Sequence, residues 1–172
     1  MSNGRSAITP YGERNARAPA ELDLFSFLVG KWHGVGTTTA PDGTPVQFDM
    51  TWIGRYVLDG TAIADEFHGA TPDGKPYLGV SLRHYDAPQR AWIVEYVNVT
   101  GSFLRRQVNA RSGSVSRQED AIVVASEDGQ MRIRELYRVS GRDRFTYTTE
   151  LSQDAGQTWG PRAFEISLTR VE

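Results

Sequence analysis

The sequence has no cysteine, and this absence excludes several kinds of chemistry. Among its 172 residues there is no Cys to form a disulfide, to bind a metal as a thiolate or to act as a nucleophile. Histidine is also scarce, since His33, His68 and His84 are the only three. They lie far apart in the chain without the short spacing of metal ligands, so we expect no metal site.

Long apolar runs and an excess of one charge are missing as well. No apolar run approaches the roughly 18 residues that a transmembrane helix needs. No apolar segment follows Met1 as it would in a secretory signal. The 19 basic and 21 acidic residues are interspersed, which argues against nucleic acid as the main partner. We therefore expect a cytoplasmic protein that binds neither membranes nor nucleic acid.

The length predicts a single domain, preceded by a polar arm. Glycine and proline interrupt any helix in residues 1–21, so we expect a flexible N-terminal arm there. An arm that packs on the second subunit of a homodimer is an open alternative. Regular apolar spacing begins at Leu22, and residues 22–172 are expected to form the folded domain.

The pattern of the domain is one short helix followed by strands. Leu22, Leu24, Phe25 and Leu28 fall on one helical face before Gly30. The rest consists of runs rich in β-branched and aromatic residues, separated by turn-forming residues. No stretch is long enough for the crossover helices of a parallel sheet. We predict an all-β fold: an antiparallel, closed or nearly closed meander barrel of about ten strands with an N-terminal helical plug.

Alternation assigns the faces of several strands. In residues 131–138, Ile133, Glu135 and Tyr137 share a face opposite three arginines, so Glu135 is predicted to point inward. The same argument predicts the inward residues of three other segments: Val46, Phe48, Met50 and Trp52; Phe145, Tyr147, Thr149 and Leu151; and Phe164, Ile166 and Leu168. The strands around Ile63, Leu82 and Ile93 carry apolar residues on both faces, and their orientation stays open.

The segment Phe25–Gly36 leads from the apolar helix into Gly-x-Trp at Gly30–Trp32. Further marks follow in order: Thr51-Trp52, Asp59-Gly60, Arg83-His84-Tyr85-Asp86 and Trp92. This set resembles the calycin superfamily of lipocalins and fatty-acid-binding proteins, and most closely the lipocalin-like bacterial domains of the DUF1579 kind. The resemblance covers about residues 24–170 and implies a small barrel with an internal cavity. It implies no single activity.

The residues 30–36 also resemble the opening of nitrobindin-type barrels, a resemblance that implies haem bound by a histidine near the C-terminus. No histidine follows His84 in this chain. We therefore expect no haem and no other cofactor.

A complete Asp-box pattern, Ser-x-Asp-x-Gly-x-Thr-Trp, runs from Ser152 to Trp159. Asp154 is suited to accept backbone N–H groups within the turn, and Gly156 supplies a left-handed backbone conformation. Sialidase propellers carry repeated copies, whereas one copy cannot build a propeller. We expect a structural hairpin here.

The densest titratable cluster is Asp65-Glu66-Phe67-His68. On a strand Glu66 and His68 share one face, where a carboxylate beside an imidazole could act as an acid–base pair. If Ile63 and Phe67 point inward, Asp65 is the interior group and the pair lies outside. Asp65 and His68 are accordingly candidate catalytic residues, and a solvated strand end is the alternative.

Candidate polar groups of an apolar interior come from several strands. The candidate ligand-binding residues are Trp52, Arg83, Tyr96, Asn98, Arg106, Glu135 and Tyr147. Glu135 and Tyr147 are also candidate catalytic residues. A buried carboxyl among aromatic residues has a raised pKa or a cationic partner, for which Arg83 or Arg106 is available. A buried Arg–Glu pair that merely closes the barrel is the alternative.

The predicted function is binding of a small, largely apolar or aromatic molecule inside the barrel. One alternative is a cofactor-free enzyme, such as an isomerase, cyclase, hydratase or lyase. A second alternative is a structural or assembly module with a filled interior. A cavity would distinguish the first two from the third, and a strongly perturbed pKa beside it would favour the enzyme.

Overall fold

The structure, a computed structural model, describes residues 8–40, 42–70, 76–100, 103–109, 115–128, 131–160 and 162–171. The first element is a 3₁₀ helix, Ala20–Leu28, and every later element in the described residues is a strand. The eleven strands are β1 Gly30–Thr39, β2 Pro45–Val57, β3 Ala62–Ala70, β4 Pro76–Asp86, β5 Ala91–Thr100, β6 Phe103–Asn109, β7 Val115–Gln118, β8 Ala121–Asp128, β9 Met131–Val139, β10 Arg144–Ser152 and β11 Arg162–Arg170.

The strands form one antiparallel sheet that curls into a nearly closed barrel. Their order is β6-β5-β4-β3-β2-β1-β11-β10-β9-β8-β7, so the first strand pairs with the last. The edge strand β6 approaches β8, with Cα atoms within 8 Å. This confirms the predicted meander barrel. No helix in the described part of the chain is both long and apolar enough to cross a membrane.

Alternation places the inner and outer faces as predicted. Phe48, Met50 and Trp52 of β2 are buried, as are Phe145 of β10 and Ile166 of β11. The three strands of open orientation are now assigned: Ile63, Asp65 and Phe67 point inward from β3, Arg83 from β4, and Trp92, Val94 and Tyr96 from β5. Apolar residues on the outer face, such as Leu78 and Val80, remain 37% exposed.

The 3₁₀ helix closes one end of the barrel, as the predicted plug. Leu22, Phe25 and Leu28 have no exposed surface. Trp32, at the start of β1, donates its Nε1 hydrogen to the Leu28 carbonyl at 3.1 Å. Arg170 of β11 lies 4.0 Å above the Trp32 ring and donates to the Val29 carbonyl at 2.7 Å, so the last strand holds the helix in place.

Part of the predicted arm contacts the barrel at the same end. The Thr9 N–H donates to Asp59 Oδ1 at 2.6 Å, and Asn15 donates to Asp59 Oδ2 at 3.1 Å. Gly12 forms an isolated bridge with Tyr56 of β2. These contacts bring residues 9–15 to the β2–β3 turn. The division into an arm at 1–21 and a domain at 22–172 stays a prediction.

Candidate functional site

A cavity of about 150 Å³ lies inside the barrel. Half of its lining is aromatic: Trp52, Phe67, Tyr77, Tyr147 and Phe164. Four aliphatic side chains and one hydroxyl complete it: Met50, Ile133, Leu151, Ile166 and Thr149. These residues come from strands β2, β3, β4, β9, β10 and β11, because alternation turns one face of each strand inward.

The aromatic residues fix one another in position. Phe67 stacks on Tyr96 with ring centroids 5.5 Å apart and planes 17° apart. Trp52 meets Tyr147 edge to face at 5.2 Å. Such pairs contribute about 0.5–1.5 kcal/mol beyond their buried area. The wall of the cavity therefore consists of rings in contact with one another, which offer their faces and edges to a ligand.

Polar side chains form a continuous chain from the plug to the cavity. Arg83 contacts Asp65 through Nη1 and Oδ1 and donates through Nη2 to the Tyr137 hydroxyl at 2.8 Å. Tyr137 donates to Glu135 Oε2 at 2.9 Å. Three strands, β3, β4 and β9, thus contribute to one interior network.

The series of interacting polar side chains continues through residues of β10 to the wall of the cavity. The Tyr147 hydroxyl interacts with the Glu135 carboxyl and accepts a hydrogen bond from Thr149 Oγ1 at 3.0 Å. Tyr147 and Thr149 line the cavity, and Glu135 is the register partner of Thr149 on the adjacent strand β9. Glu135 keeps part of its surface accessible, as expected of a group beside an internal space.

Burial dominates the electrostatics of this network. It raises the pKa of the Glu135 carboxyl, although the Arg83 charge and the Tyr137 and Tyr147 hydroxyls oppose the rise. Burial and the charge of Glu135 hold the pKa of Tyr147 well above its ordinary value of 10.0. The Tyr147 phenol therefore stays protonated at neutral pH.

The structure brings together most of the predicted site residues. Trp52 and Tyr147 line the cavity, and Tyr96 bonds the cavity residue Tyr77 through their hydroxyls, 2.6 Å apart. Asp65 and Arg83 belong to the polar chain but lie at the plug end, where the Phe25 ring covers Arg83 at 5.2 Å. From the sequence we expect Arg83 or Arg106 beside Glu135. In the structure Tyr137 stands between Arg83 and Glu135.

His68 lies apart from this group, on the outer face of β3. Its side chain is exposed, with Nε2 3.6 Å from Glu66 Oε2. Arg55 of β2 donates to the other oxygen of Glu66 at 2.5 Å. The Glu66–His68 pair is therefore outside, the outcome expected if Ile63 and Phe67 point inward. The side chains of Asn98 and Arg106 lie outside the described residues.

Three residues of this site, Tyr77, Tyr137 and Thr149, are not among those predicted from the sequence. Alternation placed Tyr137 and Thr149 on inward faces, which was the available signal. Tyr77 lies in β4, whose orientation was open. Within the described ranges, no group of three or more His, Asp or Glu side chains is placed to hold a metal ion.

The Asp-box hairpin joins β10 to β11 immediately after the cavity residue Leu151. Asp154 accepts the Thr158 N–H at 2.8 Å and the Thr158 hydroxyl at 2.5 Å, and Ser152 accepts the Gly156 N–H at 2.8 Å. The hydrogen bonds from Thr158 and Ser152 lower the pKa of Asp154 to about 2. All these contacts close the turn on itself, in agreement with a structural role.

Two solved structures share this fold. The crystal structure of Rv2717c from M. tuberculosis matches with a TM-score of 0.57 and 19% identity, over 90% of this chain and 99% of that one. The S-type phycobiliprotein lyase CPES from Guillardia theta matches with a TM-score of 0.55 and 14% identity, over 87% and 92%. At these identities the likeness shows a shared barrel fold and nothing of the ligand.

The comparison with curated proteins found no match. The sequence profile of one family covers residues 19–170, which is nearly the whole chain. This agrees with the resemblance read from Gly30–Trp32 and the motifs that follow it. The chain belongs to the family described as "Protein of unknown function (DUF1579)".

Proposed function

We propose that this protein binds one small, largely apolar molecule, the size of a single aromatic ring, inside its barrel. The cavity of about 150 Å³ carries this proposal. An apolar protein cavity of ~150 Å³ accommodates a benzene-sized molecule. The volume is below the roughly 300 Å³ at which pockets for larger ligands begin. The size therefore favours one ring over a fatty acid or a fused-ring cofactor.

The composition of the wall supports the same ligand. Five aromatic and four aliphatic side chains supply dispersion contacts, and Thr149 with the Tyr77 and Tyr147 hydroxyls supplies a few polar groups. Apolar pockets with a small number of placed polar groups are typical of small-molecule sites. Ligand binding, a homodimer and a cytoplasmic location all remain proposals for this chain.

The test is titration with toluene, followed by calorimetry and by amide chemical shifts. We expect one equivalent to bind, with shifts concentrated on the strands that carry Trp52, Phe67 and Tyr147. Ile133→Phe adds a ring at the cavity wall and should weaken binding at least tenfold. Ile93→Phe makes the same change on the outer face, where Ile93 is 37% exposed, and should leave binding unchanged.

Equal weakening by the two Ile→Phe variants would show that toluene does not occupy the cavity. Absence of saturable binding to the folded protein would contradict the proposed function itself. In that case the barrel would serve as a structural or assembly module, the alternative that the sequence left open.

A cofactor-free enzyme is the second candidate, favoured by the raised pKa of Glu135 beside a cavity-lining phenol. Proton transfer to or from a bound ring would use Glu135 as the exchanging group and Tyr147 as its hydrogen-bonded link. The test is exchange of the α-hydrogens of cyclohexanone for deuterium in D₂O. Loss of protein-dependent exchange in Glu135→Gln, with binding of toluene retained, would support this candidate; equal exchange in both proteins would exclude it.

A further inference from the structure

We infer that the molecule bound in the cavity is a phenol, an aromatic ring whose hydroxyl group donates a hydrogen bond to Thr149 Oγ1. This inference rests on the proposed function and specifies its ligand class. It follows from the direction of the hydrogen bonds in the polar chain, because that direction decides which partner the cavity can still accept.

The direction is fixed from the plug end. Arg83 has only donors, so it donates to the Tyr137 hydroxyl at 2.8 Å, and Tyr137 accepts. Tyr137 has one proton, which it donates to Glu135 Oε2 at 2.9 Å. From the Arg83 guanidinium to the Glu135 carboxylate, each group therefore donates a hydrogen bond to the next.

The direction from the cavity end is opposite. Thr149 donates its single hydroxyl proton to Tyr147 at 3.0 Å, so Tyr147 accepts there. Tyr147 keeps its own hydroxyl proton, and its hydroxyl interacts with the Glu135 carboxyl, which has oxygens able to accept that proton. Both halves converge on Glu135, which as a carboxylate only accepts. Asp65 and Arg83 are the other charged groups of this hydrogen-bonded series of side chains, and they pair with each other.

Thr149 is consequently left as an acceptor at the wall of the cavity. Its proton is used and its oxygen has lone pairs remaining. A ligand hydroxyl that donates to it extends the chain in the same direction, and hydrogen bonds aligned in one direction strengthen one another. A ketone or ether oxygen placed there would meet lone pairs instead of a donor.

The rest of the cavity defines the body of the ligand. Trp52, Phe67, Tyr77, Tyr147 and Phe164 surround a space of about 150 Å³, which suits a flat ring against ring faces and edges. The Tyr77 and Tyr96 hydroxyls, 2.6 Å apart, bond each other across the wall. A phenol matches both features, because it combines a single ring with one hydroxyl that donates to Thr149.

The experiment compares phenol with toluene and anisole by calorimetry at about pH 8, which is below the pKa of about 10 of a phenolic hydroxyl, so the ligand keeps the proton that it donates. Toluene replaces the hydroxyl with a methyl group of similar size, and anisole caps the oxygen so that it can only accept. We expect phenol to bind about tenfold more tightly than either probe, a difference of about 1.4 kcal/mol.

Thr149→Val keeps the shape of the side chain and removes its oxygen, so it should abolish the preference for phenol while toluene still binds. Tyr147→Phe removes the hydroxyl to which Thr149 donates, and it should reduce the preference for phenol. Thr146→Val, on the outer face of β10, is the matched control and should keep the preference.

Equal or tighter binding of toluene or anisole by the unchanged protein would overturn the phenol assignment and leave the proposed function standing. A preference for phenol that survives in Thr149→Val would overturn it as well. Failure of all three probes to bind would instead reject the proposed function, and the phenol assignment with it.

Discussion

Arg83 and Asp65 form an ion pair from which water is excluded, since neither side chain has any exposed surface. They project inward from adjacent strands, β4 and β3, beneath the Phe25 ring of the plug. Taking two charges out of water costs several kcal/mol each, and only their mutual attraction and further hydrogen bonds offset that cost. The pair therefore makes each partner depend strongly on the other.

The first prediction concerns this dependence. Arg83→Met should lower the free energy of unfolding by about 3–5 kcal/mol, because Asp65 is left as an uncompensated buried charge. The double variant Arg83→Met with Asp65→Leu should recover most of that loss, since no charge then remains to be desolvated. Urea unfolding at neutral pH measures both. A double variant no more stable than Arg83→Met would show that the ion pair itself, and not the orphaned charge, accounts for the effect.

The second prediction concerns pH and Glu135. Its pKa is higher in the folded protein than the ordinary 4.5, because burial disfavours the charged form. The stability that protonated Glu135 contributes is therefore complete below about pH 4.5 and is lost as the pH rises through the folded-state pKa. Glu135→Gln removes this titration and should become progressively more stable than the unchanged protein as the pH increases.

The measurement is the free energy of unfolding of both proteins between about pH 4 and pH 8. Glu150→Gln serves as a control, because it makes the same change on the outer face, where Glu150 pairs with Arg134 at 2.5 Å. It should not gain stability relative to the unchanged protein as the pH increases. Parallel profiles for Glu135→Gln would show that the interior carboxyl titrates normally.

The alternation of apolar and polar residues correctly predicts which side chains point inward in those strands that have one polar face. Arg132 and Arg134 identified the outer face of β9, and Glu135 is accordingly inside. The alternation in β4 does not distinguish its two faces, because Leu78 and Val80 are apolar residues on the outer face, opposite the inward Arg83. There the ion pair with Asp65 compensates the burial of a charge, which a single-strand pattern does not reveal.

The alternation of residues also does not show how far along the barrel axis an inward side chain lies. Trp52, Arg83 and Glu135 all point inward, as residues of period two must, but only Trp52 reaches the cavity wall. Arg83 lies at the plug because the register of β3 and β4 pairs it with Ile63, away from the cavity. The register of two paired strands depends on the type and length of the turn that joins them. The alternation within one strand does not contain this information, so it cannot predict how far along the barrel a residue lies.

The third prediction separates the Asp-box hairpin from ligand binding. Asp154→Ala should lower the Tm by several degrees, because the Thr158 N–H and hydroxyl lose their acceptor. The stabilisation by Asp154 should persist above its unfolded pKa of 3.8 and disappear as the pH falls toward about 2. Toluene should bind the folded variant as tightly as it binds the unchanged protein. A large loss of affinity at an unchanged Tm would identify the hairpin as part of the site.

The fourth prediction contrasts two glycines that are crowded by different kinds of atom. A Cβ on Gly54 of β2 would overlap the carbonyl oxygen of Leu28, whereas a Cβ on Gly79 of β4 would overlap the ring of Phe67. The backbone of the plug cannot rotate away from Gly54. The Phe67 ring can turn, and the cavity that it lines is the available space.

Gly54→Ala should therefore displace the helix, cost about 1–3 kcal/mol or more and alter the fluorescence of Trp32, which bonds the same Leu28 carbonyl at 3.1 Å. Gly79→Ala should cost less stability but weaken toluene binding at least tenfold, because the ring occupies the space of the ligand. Urea unfolding and calorimetry on the two variants provide the comparison. If Gly79→Ala bound toluene normally, Phe67 would not be a wall of the binding site, and the ligand would have to lie elsewhere in the barrel.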